Sequence, residues 1–142
     1  MKKTILLLLD NFLIFFHTLL ILFNLLGWIW KRTRKLNLII LLLVAFSWLI
    51  LGIWFGIGYC PFTDLHWFIK IELGESNLPY SYIKYLVDFY LGIDSEPVLI
   101  DYITAISFAC ALIISSILNF SAISNEKNRN KLIRLFYKNT KK

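Results

Sequence analysis

The chain has 142 residues, of which 58% are hydrophobic and 17% aromatic, with a formal net charge of +6 and a mean hydropathy of +0.68. A soluble domain of this length is nearer half apolar and keeps its apolar residues dispersed, so a soluble enzyme or carrier domain is excluded. The positive charge does not point to nucleic acid, because no basic groove with interleaved aromatics accompanies it.

The first element is the apolar run from Thr4 to Trp28, long enough to cross a bilayer. It carries Asp10, His17 and Asn24 at seven-residue intervals. That spacing is two helical turns, so the three side chains share one face, which must look at protein or water rather than at hydrocarbon. Lys2 and Lys3 ahead of it resemble the start of a signal peptide. The apolar run is too long for one, however, and no small-x-small cleavage site precedes Lys31, so we read an uncleaved span over about 5–29.

Leu36 to Phe62 contains no charge and gives a second span, about 36–58. Gly52 and Gly56 in it form a small-xxx-small pair suited to close helix approach. Val98 to Phe120 contains only Asp101 and gives the third span, about 98–120. Ser107, Ala111, Ser115 and Asn119 recur there at every fourth residue. This row suits tight packing within the three-helix module, or, on a sharper reading, a seam for a second copy or a membrane partner. Trp28, Trp30, Trp54 and Tyr59 fall near span ends as an aromatic belt would. Cys60 and Cys110 differ in depth by more than a disulfide can bridge, and both are expected to be free.

Residues 59–97 form a cap between the second and third spans. Pro61 restricts the backbone, and Thr63 is expected to cap a short helix that ends near Gly74, with Leu65, Phe68, Ile69 and Leu73 on its apolar side. Ser81 caps a second short helix, which ends at Gly92 and carries Tyr82, Tyr85, Leu86 and Phe89. Pro97 then opens the third span from a permitted first-turn position. Short amphipathic helices of this kind lie in the interface or cover a bundle's outer mouth. Their faces, with Phe68, Tyr82 and Phe89, are expected to close a small pocket over the polar stripe, Asp10 at its rim and His17 deeper.

The tail, residues 121–142, places Lys127, Lys131, Arg134 and Lys138 on one helix face, as a helix that binds anionic lipid headgroups would. The loop Lys31–Lys35 and the tail together hold eleven of the fifteen basic residues, whereas six acids lie between Asp64 and Glu96. The positive-inside rule then puts the tail in the cytoplasm and the N-terminus outside. The expected fold is an all-α membrane protein: three transmembrane helices, two short amphipathic helices in the outer loop and a basic cytoplasmic tail helix. Residues 1–120 make one membrane module and residues 121–142 a juxtamembrane tail.

His17, Phe23 and Gly27, then Gly58-Tyr-Cys-Pro-Phe-Thr63, Gly74 and Ser81-Tyr-Ile83, resemble a bacterial membrane family known as domain of unknown function 2784. The resemblance covers roughly residues 8 to 120 and rests most on the Cys-Pro-x-Thr element. It implies an integral membrane protein, in a bacterial inner membrane, and no particular activity. His66 stands where many members carry a Glu that would complete a capping box with the Thr, so an acid role does not carry over. Asn37 stands where some members carry a second His, so paired intramembrane histidines do not carry over either.

The functional reading is of a scaffold or accessory subunit of a larger membrane assembly, in contact with lipids and a membrane partner or a second copy. The alternative is a membrane-embedded enzyme, or a lipid- or proton-handling protein, that uses the face of Asp10, His17 and Asn24. No phosphate loop, nucleophile elbow or H-E-x-x-H element occurs, and the balance is against an enzyme. The cap motif of Cys60, Pro61, Thr63 and His66, with Asp64 and Glu72 nearby, offers possible metal ligands. Its C-x3-D-x-H spacing matches no recognised zinc site, and neither metal nor cofactor is expected.

Overall fold

The structure, a computed structural model, describes residues 2–139, apart from the side chains of residues 125, 126 and 130–139. The fold is all-α. Helix α1 (Lys2–Leu26) is followed by α2 (Arg34–Phe46), which passes through one π-helical stretch (Ser47–Leu51) into α3 (Gly52–Phe55). Two short helices follow, α4 (Pro61–Glu72) and α5 (Tyr82–Leu91), and then the long α6 (Pro97–Asn139). Three segments are long and apolar enough to cross a membrane: Lys2–Leu26, Arg34–Phe55 and Pro97–Arg129. Helix α6 continues without a break past residue 120.

The polarity of the bundle is that of a membrane protein. The large apolar side chains Ile5, Leu8, Phe12, Phe15, Leu19, Leu22 and Leu26 line the exposed side of α1, while its buried residues are Asp10, Leu13, His17 and Asn24. With lipid as solvent, apolar groups gain nothing by turning inward, and polar groups must find protein partners. Helix α6 presents Ala111, Ser115 and Asn119, all buried, toward Asn37 and Leu41 of α2. The every-fourth row of small residues is thus used for packing inside the chain.

The Gly52/Gly56 pair acts differently from the sequence expectation. Gly56 ends α3 with φ of 101°, and a Cβ on Gly52 would lie 3.2 Å from the backbone of Ile57. The glycines allow the chain to reverse sharply after the second span, rather than opening a helix–helix groove. The reversal carries the chain back along the span: Ser47 Oγ donates to the Tyr59 carbonyl at 2.8 Å, across the π-helical stretch. Helix α4 therefore starts deep in the bundle. Three contacts give its course: Cys60 meets His17 at 3.7 Å, His66 meets Asp10 at 2.7 Å, and Glu72 meets Lys2 at 2.9 Å. It runs antiparallel to α1 along that helix's N-terminal half, instead of lying across the end of the bundle.

Helix α4 also differs in its start and in its facing. Cys60 is the N-cap and Pro61 occupies the first turn, so the helix begins ahead of Thr63, and no side chain caps it. Proline's fixed φ and missing N–H suit that position, which leaves Thr63 inside the first turn. The buried residues are His66, Ile69 and Lys70, whereas Leu65 and Phe68 are exposed. Of the apolar side expected to cover the stripe, only Ile69 turns inward, while Leu65 and Phe68 face outward and His66 and Lys70 cover the stripe. The helix ends in a Schellman turn: Glu75 N bonds the Lys70 carbonyl at 3.0 Å and Gly74 N bonds that of Ile71 at 2.9 Å, with Gly74 at φ of 93°. Helix α5 starts on Ser81 and stops at Gly92 in the left-handed region, and α6 opens on Pro97, all as the sequence indicates.

Candidate functional site

Along the buried face of α1, polar side chains collect at three levels about 10 Å apart, the rise of two helical turns. At the first level, Asp10 is held by α4. His66 Nε2 lies 2.7 Å from Asp10 Oδ1, and Lys70 Nζ lies 3.2 Å from the same oxygen. A carboxylate beside an ammonium only accepts, so Nε2 carries the imidazole proton. Lys70 Nζ is also 2.9 Å from Glu75, which the Schellman turn folds back toward it, and sits 5.0 Å over the Tyr85 ring. His66 and Lys70 are 0% and 2% exposed, so the cluster is enclosed. Burial pushes the His66 imidazole below its ordinary value, with Asp10 pulling the other way and Lys70 adding to the fall. Burial also opposes charge on Lys70, but Tyr85, Glu75 and Asp10 together outweigh it and hold the ammonium above its usual range.

The second level centres on His17. Its ring stacks on Tyr82 of α5 at 4.1 Å, and its Nε2 lies 3.7 Å from Cys60 Sγ at the start of α4. Tyr82 donates its hydroxyl to the Ile14 carbonyl at 3.1 Å, with Thr18 Oγ1 at 3.3 Å. Two segments of the cap, α5 and the start of α4, thus converge on one side of α1. The space expected to form a pocket above His17 is taken by the Tyr82 ring and the Cys60 thiol. Phe89 and Phe68, expected beside Tyr82, are exposed.

At the third level Asn37, fully buried, ties the three spans together. Its Nδ2 donates to the carbonyls of Phe23 at 2.8 Å and Asn24 at 3.3 Å, and its Oδ1 accepts from Ser115 Oγ at 2.8 Å. Asn119 Nδ2 donates to the Arg34 carbonyl at 3.1 Å. Asn24 takes part through its backbone carbonyl.

Each level holds one buried polar atom with no partner among the described residues: His66 Nδ1, His17 Nδ1 and Asn24 Oδ1. Buried polar atoms are ordinarily bonded, so a repeated exception on one face calls for a chemical reason.

The remaining candidates disperse. Asp64 accepts from Tyr59 at 2.9 Å and Glu72 pairs with Lys2, so Cys60, Asp64, His66 and Glu72 turn to separate partners. Cys60 and Cys110 are free thiols. Lys127 is exposed, while Lys131, Arg134 and Lys138 lie outside the described side chains. An open groove of about 290 Å³ at the Lys2 end is lined by Lys2, Lys3, Leu6, Glu72 and Leu73. At the base of α6, Lys84 joins Asp88 at 2.6 Å and Asp94 at 2.9 Å, and Asp88 accepts from Ser95. The Lys84 and Ser95 bonds hold the Asp88 carboxyl down at about 2. Sequence reasoning did not single out Lys70 or give Asn37 a structural role. Lys70 had a readable signal: it follows His66 by one helical turn, inside the apolar stretch Phe68-Ile69-Lys70-Ile71.

No curated protein and no solved structure matches the chain. Residues 7–120, about four fifths of its length, match the family described as Protein of Unknown function (DUF2784). The Cys60–Thr63 element and the polar face of α1 both fall inside that match, and the chain belongs to the DUF2784 family.

Proposed function

We propose that this protein handles protons inside the membrane, with His66 and His17 as carriers and Asp10 as the fixed acceptor. The observation that carries the reading is the succession of three buried polar levels along α1, each with an unpartnered atom. Lys70 lies 3.2 Å from Asp10 and 2.9 Å from Glu75, so the cluster sets one cation against two carboxylates. A proton taken at His66 Nδ1 completes the charge balance, and Asp10 stabilises the imidazolium that forms. His17 provides the next imidazole, separated from His66 by the Tyr82 ring that both pack against, at 4.1 and 5.7 Å. In a bacterial inner membrane with the N-terminus outside, the orientation that the charge asymmetry of the loops supports, the cluster at Asp10 faces the exterior.

The test is proton flux into liposomes that contain the purified protein, driven by a potassium diffusion potential and read by an enclosed pH dye. Wild type should exceed empty vesicles, with the excess lost in Asp10→Asn and His66→Gln. Wild-type flux equal to that of empty vesicles would sink the reading.

An accessory-subunit role draws its support from the broad apolar flanks, since only 11% of each span's most apolar stretch is buried within the chain. A stable larger complex from native membranes, unaffected by His66→Gln, would favour that role instead.

A further inference from the structure

Cys60 is the N-cap of α4, and Pro61 behind it has no N–H. No side chain caps this start, so the first-turn amides of Phe62 and Thr63 present the positive end of the helix without a side-chain acceptor. The thiol is not isolated. Nε2 of His17, from a different helix, lies 3.7 Å from Sγ. His17 is 6% exposed, and its second nitrogen has no partner among the described residues. A thiol against an imidazole is the pairing in which the base removes the proton as sulfur attacks.

The surroundings define the substrate class. Cys60 is half-buried, and Phe62 beside it is 40% exposed and packs on Phe16 at 5.3 Å. Tyr59 stacks on the exposed ring of Phe55 at 4.6 Å. The approach to sulfur therefore runs over aromatic, lipid-facing surface. A reagent reaching it must dissolve in the bilayer and carry an electrophilic carbon.

We infer that Cys60 is a nucleophilic thiol that captures a membrane-dissolved α,β-unsaturated carbonyl compound, with His17 as its base. The step is a conjugate addition. Sulfur bonds the β-carbon, the thiol proton passes to His17 Nε2, and the alkene π pair moves onto the carbonyl as an enolate. The α-carbon then recovers the proton from Nε2, which restores the neutral imidazole. One S–H bond and one π bond are exchanged for one S–C and one C–H bond, and no oxidant or reductant is consumed. Two sources share this chemistry: enals from oxidised acyl chains, and a quinone with an open ring position, whose adduct tautomerises to the hydroquinone. The inference goes beyond the proton-handling reading: the two share His17, but none of Asp10, His66 and Lys70 exchanges a bond or a proton in the addition, so it stands if proton flux is absent.

Cys110 supplies an internal control. It is exposed on α6, and no described side chain hydrogen-bonds it. The full chain in phospholipid nanodiscs is treated with trans-2-nonenal in one arm and 2-methyl-1,4-naphthoquinone in the other, and adducts at both cysteines are followed by peptide mass spectrometry. If base catalysis operates, Cys60 should react on the order of a hundredfold faster than Cys110. The ratio should fall toward one in His17→Gln and stay high in Thr18→Val, which leaves the base in place. The faster probe identifies the source. Equal rates at the two cysteines of wild type overturn the proposal without any variant, as does an unchanged ratio in a folded His17→Gln protein.

Discussion

Removing Asp10 alone should be more damaging than removing it together with Lys70. In Asp10→Leu, the Lys70 ammonium, 2% exposed, loses the carboxylate at 3.2 Å, and His66 loses its acceptor at 2.7 Å. Breaking a buried pair from one side costs about 3–5 kcal/mol, because a charge is left without its counterion. Glu75 remains 2.9 Å from Nζ but is 44% exposed at its side chain, so it offsets only part of this. We expect about 2–3 kcal/mol. Lys70→Met leaves Asp10 with the His66 donor and should cost about 1–2 kcal/mol. The double variant Asp10→Leu/Lys70→Met removes both charges and should lose about as much as Lys70→Met alone, well below the sum of the two single losses. Unfolding in mixed micelles with rising dodecyl sulfate, followed by fluorescence of the five tryptophans, measures the cycle. Strictly additive losses would refute the argument, because they would mean the two charges do not meet.

Asn37→Leu removes its bonds to Phe23, Asn24 and Ser115. At roughly 0.6 kcal/mol per interhelical hydrogen bond it should lower stability by about 1–2 kcal/mol in the same assay. His66 has its value lowered from 6.5 by burial in the folded protein, so the unfolded chain binds its proton first. Stability should therefore fall as pH drops below 6.5, and His66→Gln should flatten that dependence. Asp88 is lowered from 3.8 to about 2, chiefly by Lys84. Its contribution is complete above 3.8 and is lost toward 2, so amide exchange at Ser95, whose N–H bonds Asp88, should quicken over that interval and not above it.

The spans, the single polar face of α1, and the Ser81, Gly92 and Pro97 boundaries could all be read from the sequence, because each depends on local chemistry or helical period. The facing of α4 could not. Its Leu65, Phe68 and Ile69 were read as a side that seeks the protein, a rule that holds where water is the solvent. Here Leu65 and Phe68 are exposed, and of the three only Ile69 lies inside, with His66 and Lys70 beside it. The depth of α4 was hidden for a related reason. It depends on the glycine reversal after Phe55 and on Ser47 holding the Tyr59 carbonyl, a contact between segments that no periodicity encodes. Asn37 stands out in the sequence only as the residue where some family members carry a second His, and its three bonds depend on two other helices.

The same inversion explains how α4 finds its register on α1. Apolar contact in lipid discriminates poorly, since sliding one helix past another exchanges protein methyls for acyl chains at little change in free energy. Polar contacts are different. A carboxylate in the third turn of α1 and a lysine in the apolar part of α4 are each costly alone in hydrocarbon. They become tolerable only where they meet. Moving α4 by one turn along α1 would separate Lys70 and His66 from Asp10, Cys60 from His17 and Glu72 from Lys2 together, since the three contacts share one antiparallel spacing. The enclosed charges therefore define one alignment and disfavour its neighbours by several kcal/mol, on the scale of a broken buried pair. That alignment in turn holds Cys60 against His17. Reactivity at the thiol should thus depend on the Asp10–Lys70 pair, even though neither residue touches sulfur. In the double variant Asp10→Leu/Lys70→Met, which should keep most of its stability, the register is held less strictly. The Cys60 to Cys110 reaction ratio should fall there several-fold, and an unchanged ratio would show that apolar packing alone sets the alignment.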